Sequence, residues 1–295
     1  MSGAVLHPGQ VAVVTGGAAG IGFALAAAFL GRGLRVVLAD RDTGTLDAAA
    51  ARLAAAGHSV RTVPTDVSRP EDMRRLRETV LATEGRVDIL VNNAGIYPGM
   101  QPVWTIDRDS WRALYDVNYW GVVHGIQEFV PQFIAQGSGT VVTTASMSGL
   151  STVPGSADYS SAKHAVVALT ETLRADLDLA GHGGIGVTLL CPSVVLTDMG
   201  RRALGVFEAE GNADERSRIG SGPDLSAVLT PEALAEAALA GIEAGDLYVL
   251  PTPRSRDRFL GRIRPILAAF AAAPITHGAL EPGAAGAMSD PADEE

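Results

Sequence analysis

Residues 10–22 read QVAVVTGGAAGIG, and this stretch decides the fold of the chain. The apolar run 10–15 predicts a fully buried strand, because both of its faces are hydrophobic. A glycine-rich turn at 15–22 follows directly and leads into an alanine-rich segment, 21–31, that has helical period. A strand, a glycine-rich turn and a helix in this order predict the first unit of a nucleotide-binding α/β sheet.

The same alternation of short apolar runs and helical segments continues along the chain. We predict further strands at 35–39, 59–63, 88–91, 140–145, 185–190 and 247–250, and further helices at 43–56, 70–83, 107–116, 119–135, 157–179 and 231–243. Strands that are apolar on both faces and alternate with helices indicate a parallel sheet covered on both sides. We therefore expect an α/β protein, a single-domain, Rossmann-like, doubly wound parallel sheet with helices on both faces, over residues 1–275.

Three later segments depart from this pattern. Residues 192–230 are rich in glycine, charge and small side chains without a clean period, which predicts a lid or substrate loop. Residues 254–273 are basic and amphipathic, and favour packing on the domain or on a sister subunit over binding a membrane surface; Pro265 is expected to interrupt this segment. The small, acidic residues 276–295 predict a disordered tail.

The composition excludes several classes of protein. The 295 residues carry a net charge of −10, which disfavours nucleic acid as a partner. The single cysteine, Cys191, excludes a disulfide within the chain and fits a reducing compartment. The first residues lack a secretory pattern, and no apolar stretch reaches the roughly 18 residues that span a bilayer. We expect a cytoplasmic protein without a membrane role. Because the six histidines are scattered, we also expect no metal.

The glycine-rich turn has the spacing TGxxxGxG and is suited to hold a pyrophosphate. Glycines let the backbone approach the phosphates closely, and the N-terminus of the helix presents free N–H groups. The residues expected to contact the dinucleotide here are Gly16, Ala19, Gly20, Ile21 and Gly22.

The second predicted strand is followed by Asp40 and Arg41. A carboxylate at this point accepts hydrogen bonds from the adenosine ribose hydroxyls and repels a 2′-phosphate, which favours NAD. The guanidinium of Arg41 is able to bind such a phosphate, so NADP stays as the less favoured alternative.

Tyr159 and Lys163 lie four residues apart on the long helix predicted at 157–179. This spacing places the phenol and the ammonium on one helical face. A nearby cation favours the phenolate, so the pKa of Tyr159, normally about 10, is expected to fall. Lys163 is the single lysine among 23 basic residues, which indicates that this position requires an ammonium. The pair is suited to general acid–base chemistry at an alcohol oxygen.

Taken together, the residues 15–22, the motif Asn-Asn-Ala-Gly at 92–95, Ser146, and Tyr159 with Lys163 are arranged as in a known family. Over residues 8–250 the sequence resembles the short-chain dehydrogenases/reductases, in their shorter single-domain branch. The resemblance implies an NAD(P)-dependent oxidoreductase that transfers a hydride between a nicotinamide cofactor and a secondary alcohol or ketone, with Tyr159 as general acid/base.

The resemblance also implies roles for the other catalytic positions. Ser146 polarises the substrate oxygen, and Asn118 holds a water in a proton relay to Lys163. Lys163 tunes Tyr159 and anchors the nicotinamide ribose.

Further cofactor contacts are implied along the chain. They are, in order of position, Asp66 and Val67 at the adenine edge, Asn93, Ala94 and Gly95 at the adenosine ribose, and Pro192, Val195 and Thr197 in the loop that faces the nicotinamide. The family usually has glycine where Ser193 stands, which puts the geometry of this loop in question.

Three other functions are weaker alternatives. A serine hydrolase needs a G-x-S-x-G elbow, but the residues around Ser146 read TASMS. A non-catalytic dinucleotide sensor has no need for Asn118, Ser146, Tyr159 and Lys163 together. An epimerase or dehydratase of the same superfamily usually has a longer chain and a TGxxGxxG loop.

Side chains on the segments expected to rim the site suggest an apolar pocket for a bulky or cyclic alcohol. They are Tyr97, Trp104, Met147, Val153, Val194 and Leu204. The family resemblance further implies a homodimer or homotetramer, formed through the helices predicted at 119–135 and 157–179.

Overall fold

The computed structural model describes residues 6–209, 228–253 and 255–272. Its seven strands form one sheet in the order β3-β2-β1-β4-β5-β6-β7, and all six neighbouring pairs run parallel. The strands are β1 (Val11–Thr15), β2 (Arg35–Asp40), β3 (Arg61–Pro64), β4 (Ile89–Asn92), β5 (Gly139–Thr144), β6 (Ile185–Leu190) and β7 (Tyr248–Val249). The doubly wound parallel sheet predicted from the alternating pattern is confirmed.

Helices cover both faces of this sheet. They are α1 (Gly20–Gly31), α2 (Thr43–Ala55), α3 (Pro70–Glu84), α4 (Arg108–Tyr115), α5 (Gly121–Gln136), α6 (Ala157–Leu179), α7 (Asp198–Ala209), α8 (Pro231–Ala244) and α9 (Ser255–Ala272). One hydrophobic cluster joins the sheet to α1, α2 and α8. A second cluster joins its other face to α3, α5 and α6.

The strand order reverses between β1 and β4. From β1 the chain moves outward through β2 to β3, and then returns to place β4 on the other side of β1. In open α/β sheets, ligands bind beyond the carboxyl ends of the strands at such a reversal. The segments that follow β1, β2, β4, β5 and β6 therefore define the place where a site should form.

The helices predicted at 107–116 and 119–135 are joined without a break. A π-helical segment, Asp116–Trp120, connects α4 to α5, and the N–H of Gly121 donates to the carbonyl of Asp116. A single π turn inside a helix carries one extra residue, and such turns are frequent at functional sites. Asn118 lies within this turn and is fully buried.

The structure corrects the prediction of an irregular segment at 192–230. Helix α7 begins at Asp198, and the Thr197 hydroxyl accepts a hydrogen bond of 3.0 Å from the N–H of Gly200. This hydrogen bond satisfies a first-turn N–H, which is how a threonine starts a helix. Residues 210–227, the remainder of the predicted loop, lie outside the described residues.

The structure also corrects the expectation that Pro265 interrupts the basic segment. Helix α9 continues through Pro265 from Ser255 to Ala272. Proline removes one helical hydrogen bond, but the carbonyl left without a partner belongs to the exposed residue Gly261, where water can solvate it. Phe259 packs against the core, whereas Phe270 is 76% exposed.

In the described ranges, no helix is both long and apolar enough to cross a bilayer. The predicted acidic tail at 276–295 and the domain end at 275 lie outside the described residues.

Gly139 sets the contact of α5 with the sheet. A Cβ at this position would overlap the ring of Phe133, which is fully buried. Gly139→Ala should therefore lower the free energy of unfolding by about 1–3 kcal/mol, as overpacking of a core does. Denaturation in urea would measure this loss from the shift in midpoint.

Gly31→Ala is the matched control, because a Cβ at Gly31 meets no atom within 4 Å. Its effect should be neutral or slightly stabilising. Equal midpoints for the two variants would contradict the packing role of Gly139.

Candidate active site

The glycine-rich turn after β1 depends on glycine at several positions. Gly16 and Gly20 have φ values of 61° and 53°, a region that favours glycine. A Cβ on Gly22 would overlap the carbonyl oxygen of Gly16. Within the described residues no side chain caps the N-terminus of α1 at Ala19, so its first-turn N–H groups are left to bind an anion.

Asp40 lies beside this turn at the end of β2. Its Oδ2 atom accepts a long hydrogen bond, 3.4 Å, from the N–H of Ala18. Arg41 is exposed. Asp42 caps α2 through a 2.8 Å hydrogen bond from the N–H of Thr45, and these hydrogen bonds lower the pKa of Asp42. The carboxylate of Asp40 thus lies beside the glycine-rich turn.

The Thr15 hydroxyl joins the ends of β1 and β4. It donates to the carbonyl of Val91 at 3.0 Å and accepts from the N–H groups of Asn93 and Ala94 at 2.9 and 3.2 Å. The side-chain amide of Asn93 returns a hydrogen bond of 3.0 Å to the carbonyl of Thr15. The predicted segment 93–95 therefore lies against the glycine-rich turn.

Asn118 fixes the same segment from the helix side. Its Oδ1 atom accepts from the N–H of Ile96 at 2.8 Å, and its Nδ2 group donates to the carbonyl of Ile96 at 2.9 Å. A Cβ on Gly95 would lie 3.4 Å from Oδ1 of Asn118. The side-chain amide is thus engaged with the backbone of Ile96, and Asn118 holds the turn after β4 in place.

Ser146 and Tyr159 meet at the end of β5. Ser146 has extended backbone, and its hydroxyl accepts a hydrogen bond of 3.1 Å from the N–H of Ser148. Tyr159 is half-buried near the start of α6. Burial raises the pKa of Tyr159 to about 12, a hydrogen bond with Ser146 lowers it, and the neighbouring Tyr97 phenol raises it.

This pKa differs from the expected fall, and the position of Lys163 supplies the reason. The Lys163 ammonium lies 5.7 Å from the centroid of the Tyr159 ring and donates a 2.8 Å hydrogen bond to the carbonyl of Thr144. At that separation, removal of the phenol from water outweighs the attraction of the cation. Lys163 itself is 3% exposed, and burial lowers its pKa to about 8.

Sequence reasoning missed two neighbours of Lys163. One is Thr144, whose carbonyl accepts a hydrogen bond from the Lys163 ammonium. The Thr144 hydroxyl donates to Oδ1 of Asn93 at 3.2 Å. The other is Cys191, which is fully buried and close enough to Lys163 to oppose the fall in its pKa. Burial raises the pKa of the Cys191 thiol to about 12. Their positions at the ends of β5 and β6 could have indicated that both residues lie near the site.

Asp66 and Val67 follow β3. Asp66 accepts hydrogen bonds from the N–H and hydroxyl of Ser68, at 3.0 and 2.7 Å. Val67 packs tightly against Gly121, where a Cβ would lie 2.7 Å from a Val67 methyl. A ring nitrogen of His124 lies 2.9 Å from the Val67 carbonyl oxygen. Val67 is thereby fixed against the start of α5.

The segment after β6 reaches back to the glycine-rich turn. The buried Pro192 accepts a 2.8 Å hydrogen bond from the N–H of Met147, and Val195 is buried and pairs with Leu229. A Cβ on Gly20 would lie 2.9 Å from a methyl carbon of Thr197. No non-glycine residue in the described ranges has positive φ, so Ser193 fits this loop without backbone strain.

The six predicted rim residues are not equivalent. Tyr97 packs on Tyr159, whereas Met147 is 4% exposed and belongs to a core cluster beneath the site. Trp104 is 84% exposed. Val153, Val194 and Leu204 are partly buried.

In the part of the chain that the structure describes, no group of three or more histidine, cysteine or acidic side chains is placed to hold a metal ion.

Comparisons with known proteins show which family this chain resembles. The family model described as short chain dehydrogenase matches residues 10–204. The 1-deoxy-11-beta-hydroxypentalenate dehydrogenase of Streptomyces avermitilis is 40% identical over 69% of this chain and 75% of its own. The 3beta-hydroxysteroid dehydrogenase 2 of Eggerthella lenta is 36% identical over 65% of this chain and 73% of its own.

A solved structure is similar in fold as well. A short-chain dehydrogenase/reductase from Burkholderia phymatum, in complex with NAD, is 35% identical with a TM-score of 0.78, covering 90% of this chain and 96% of the other. Fold and site together define an α/β protein of the Rossmann-like class. The chain belongs to the short-chain dehydrogenase/reductase family and is one of its oxidoreductases.

The low pKa of Lys163 makes stability depend on pH. The pKa of Lys163 is about 8 in the folded protein and 10.5 in the unfolded chain. The destabilisation caused by burying the ammonium is therefore at its full size below pH 8. The unfolded chain binds more protons between these values, so stability rises with pH across that window. In Lys163→Met this rise should disappear.

The measurement is urea denaturation of both proteins at pH 7 and pH 10. The difference in unfolding free energy, wild type minus variant, should increase by roughly 2–3 kcal/mol, at about 1.4 kcal/mol per pH unit. A difference that stays constant with pH would contradict the burial of a charged Lys163.

Proposed function

We propose that this protein is an NAD-dependent oxidoreductase that transfers a hydride between the nicotinamide cofactor and a secondary alcohol or its ketone, with Tyr159 as general acid/base. The observation that carries the proposal is the meeting of the Tyr159 phenol with Ser146, beside the buried ammonium of Lys163. This group lies at the carboxyl edge of the sheet, next to the phosphate-binding turn.

The residues of the turn fit a dinucleotide. The positive φ values of Gly16 and Gly20 and the lack of room for a Cβ on Gly22 keep backbone N–H groups accessible to a pyrophosphate. Asp40 would accept from the adenosine ribose, and Lys163 would donate to the nicotinamide ribose. When bound, the cofactor supplies the nicotinamide carbon that accepts or gives the hydride.

The other implied contacts support the same placement. Segments 93–95 and 192–197 both lie against the turn, and Val67 is fixed at the end of β3. We infer that these segments bind the adenosine and nicotinamide halves of the cofactor.

Ser146 and Tyr159 would act on one substrate oxygen. In oxidation, the Tyr159 phenolate takes the proton of the alcohol, and in reduction the phenol returns it. The Ser146 hydroxyl donates a hydrogen bond to the same oxygen and polarises it. A phenol with a pKa near 12 is almost fully protonated at neutral pH, so in oxidation the proposal requires positive charge near the phenol, beyond that of Lys163 at 5.7 Å from the ring, to favour the phenolate.

Asn118 would act through the structure that it holds. Because its amide is engaged with Ile96, we infer that a water in the relay to Lys163 is held by main-chain oxygens of the π-helical segment. A π turn shifts the helical hydrogen-bond pattern by one residue, and such turns are frequent at functional sites.

NAD is the proposed cofactor because Asp40 lies beside the phosphate-binding turn. A carboxylate there accepts from both hydroxyls of the ribose and repels a 2′-phosphate. The similar Burkholderia phymatum structure was solved in complex with NAD. Arg41, next in sequence and exposed, is the residue through which NADP would be bound instead.

We infer a bulky or cyclic secondary alcohol as the substrate class. The names of two relatives specify a hydroxypentalenate and a hydroxysteroid. The aromatic ring of Tyr97 borders the reacting hydroxyl group of Tyr159 and offers an apolar wall to a ring system.

A homodimer or homotetramer in the cytoplasm completes the proposal. Exposed apolar side chains lie along the helices expected to form the subunit contact, namely Trp120, Ile134 and Leu179. Their burial between subunits would stabilise an oligomer.

Tyr159→Phe tests the assigned chemistry. The variant should keep the fold and cofactor affinity but lose turnover by about 10³-fold, because the proton donor and acceptor is removed. Nicotinamide absorbance with a panel of cyclic alcohols and ketones measures turnover, and fluorescence titration measures cofactor binding. Tyr248→Phe, on the edge strand, is the control, and retained activity in Tyr159→Phe would overturn the assignment.

Asp40→Ser tests the choice of cofactor. Removal of the carboxylate, with Arg41 left in place, should shift the ratio of kcat/KM for NAD over NADP toward NADP by about 10- to 100-fold, since each 1.4 kcal/mol is tenfold. The two ratios are compared in steady-state assays. An unchanged ratio, or a wild-type preference for NADP, would contradict the role given to Asp40.

A further inference from the structure

Tyr97 is in direct contact with Tyr159. The two ring centroids are 5.2 Å apart and the ring planes are nearly perpendicular, at 83°. This edge-to-face arrangement is the preferred geometry of an aromatic pair, and it restricts the rotation of both rings.

Both backbone polar groups of the residue before Tyr97 are hydrogen-bonded by one side chain. The N–H and the carbonyl of Ile96 are both bound by the side chain of Asn118, at 2.8 and 2.9 Å. Asn118 is itself fully buried in the π-helical segment. A ring attached one residue after such an anchor has little freedom to move away from Tyr159.

Two groups of the proposed reaction and one carboxylate also lie beside Tyr159. Ser146 hydrogen-bonds the phenol, and the Lys163 ammonium lies 5.7 Å from the ring centroid. The Tyr159 N–H donates to Oδ1 of the buried Asp158 at 2.7 Å. Tyr97 therefore supplies the aromatic support of the ring.

We propose that Tyr97 is a positioning residue, whose ring holds Tyr159 at the angle that directs its hydroxyl toward Ser146 and the substrate oxygen. The support runs from the π turn through Asn118 and Ile96 to Tyr97. This inference rests on the proposed function of Tyr159 as general acid/base.

The phenol group of Tyr97 has a second, separable effect. It raises the pKa of Tyr159 through like-charge repulsion. The titratable groups around the Tyr159 ring in the described residues are Tyr97, Lys163 and Asp158, with Cys191 beside Lys163. Tyr97→Phe keeps the ring and removes the phenol, so it separates this electrostatic effect from the support given by the ring.

A simple pocket wall would behave differently. If Tyr97 only contacted bulky substrates, its loss would raise KM for those substrates and leave kcat unchanged. If it positions Tyr159, kcat should fall for small and bulky alcohols alike, because proton transfer depends on the geometry of the phenol.

The experiment compares Tyr97→Phe, Tyr97→Leu and the control Tyr248→Leu, which removes a tyrosine ring from the edge strand. We expect Tyr97→Phe to keep kcat within about twofold, and Tyr97→Leu to lose about tenfold in kcat with both substrate sizes, the effect of one aromatic contact. Circular dichroism and the affinity for NADH, read by fluorescence, should be unchanged in all three proteins.

Two outcomes would overturn the inference. One is a Tyr97→Leu protein with unchanged kcat and a raised KM for bulky alcohols only. The other is a Tyr97→Phe protein that loses as much kcat as Tyr97→Leu, since the ring alone would then not suffice. Failure of the proposed function looks different: Tyr159→Phe would then remain active, and the inference about Tyr97 would be overturned with it.

Discussion

The hydroxyl of Thr15 is the contact on which the arrangement of the site depends. It binds the backbone of three residues around the end of β4, and it lies at the first residue of the glycine-rich turn. A parallel sheet leaves a crevice where its strand order reverses, and this hydroxyl fixes the two walls of that crevice at hydrogen-bonding distance. The segments proposed to bind the cofactor are thereby placed with respect to one another by the protein itself.

Most of the fold could be predicted from residue patterns, because buried strands and amphipathic helices have distinct periods. The predicted strand at 59–63 differs from the observed Arg61–Pro64 by two residues at its start, as expected at an exposed sheet edge. Helix α7 was missed because its sequence is rich in glycine and charge, and its start depends on the cap at Thr197. The π turn was missed because one extra residue leaves no signal in the sequence.

The site residues were predictable by type and spacing, but their electrostatics were not. Four residues of spacing places Tyr159 and Lys163 on one helical face, and the structure brings them together. The sign of the pKa shift of Tyr159 depends on the burial of the phenol and on the hydrogen bond that the Lys163 ammonium donates to the carbonyl of Thr144. Neither the burial of Tyr159 nor the hydrogen-bond partner of Lys163 can be obtained from the spacing of the two residues in the sequence.

The use of arginine at 22 of the 23 basic positions leaves the surface without ε-amino groups, since Lys163 is the single lysine and is 3% exposed. Reagents that acylate or reductively alkylate amines therefore have one side-chain target in the whole chain. With a pKa of about 8, that amine carries a sizeable unprotonated and nucleophilic fraction in mildly alkaline solution. Covalent labelling of side-chain amines in this protein would report on access to the proposed catalytic site rather than on its general surface.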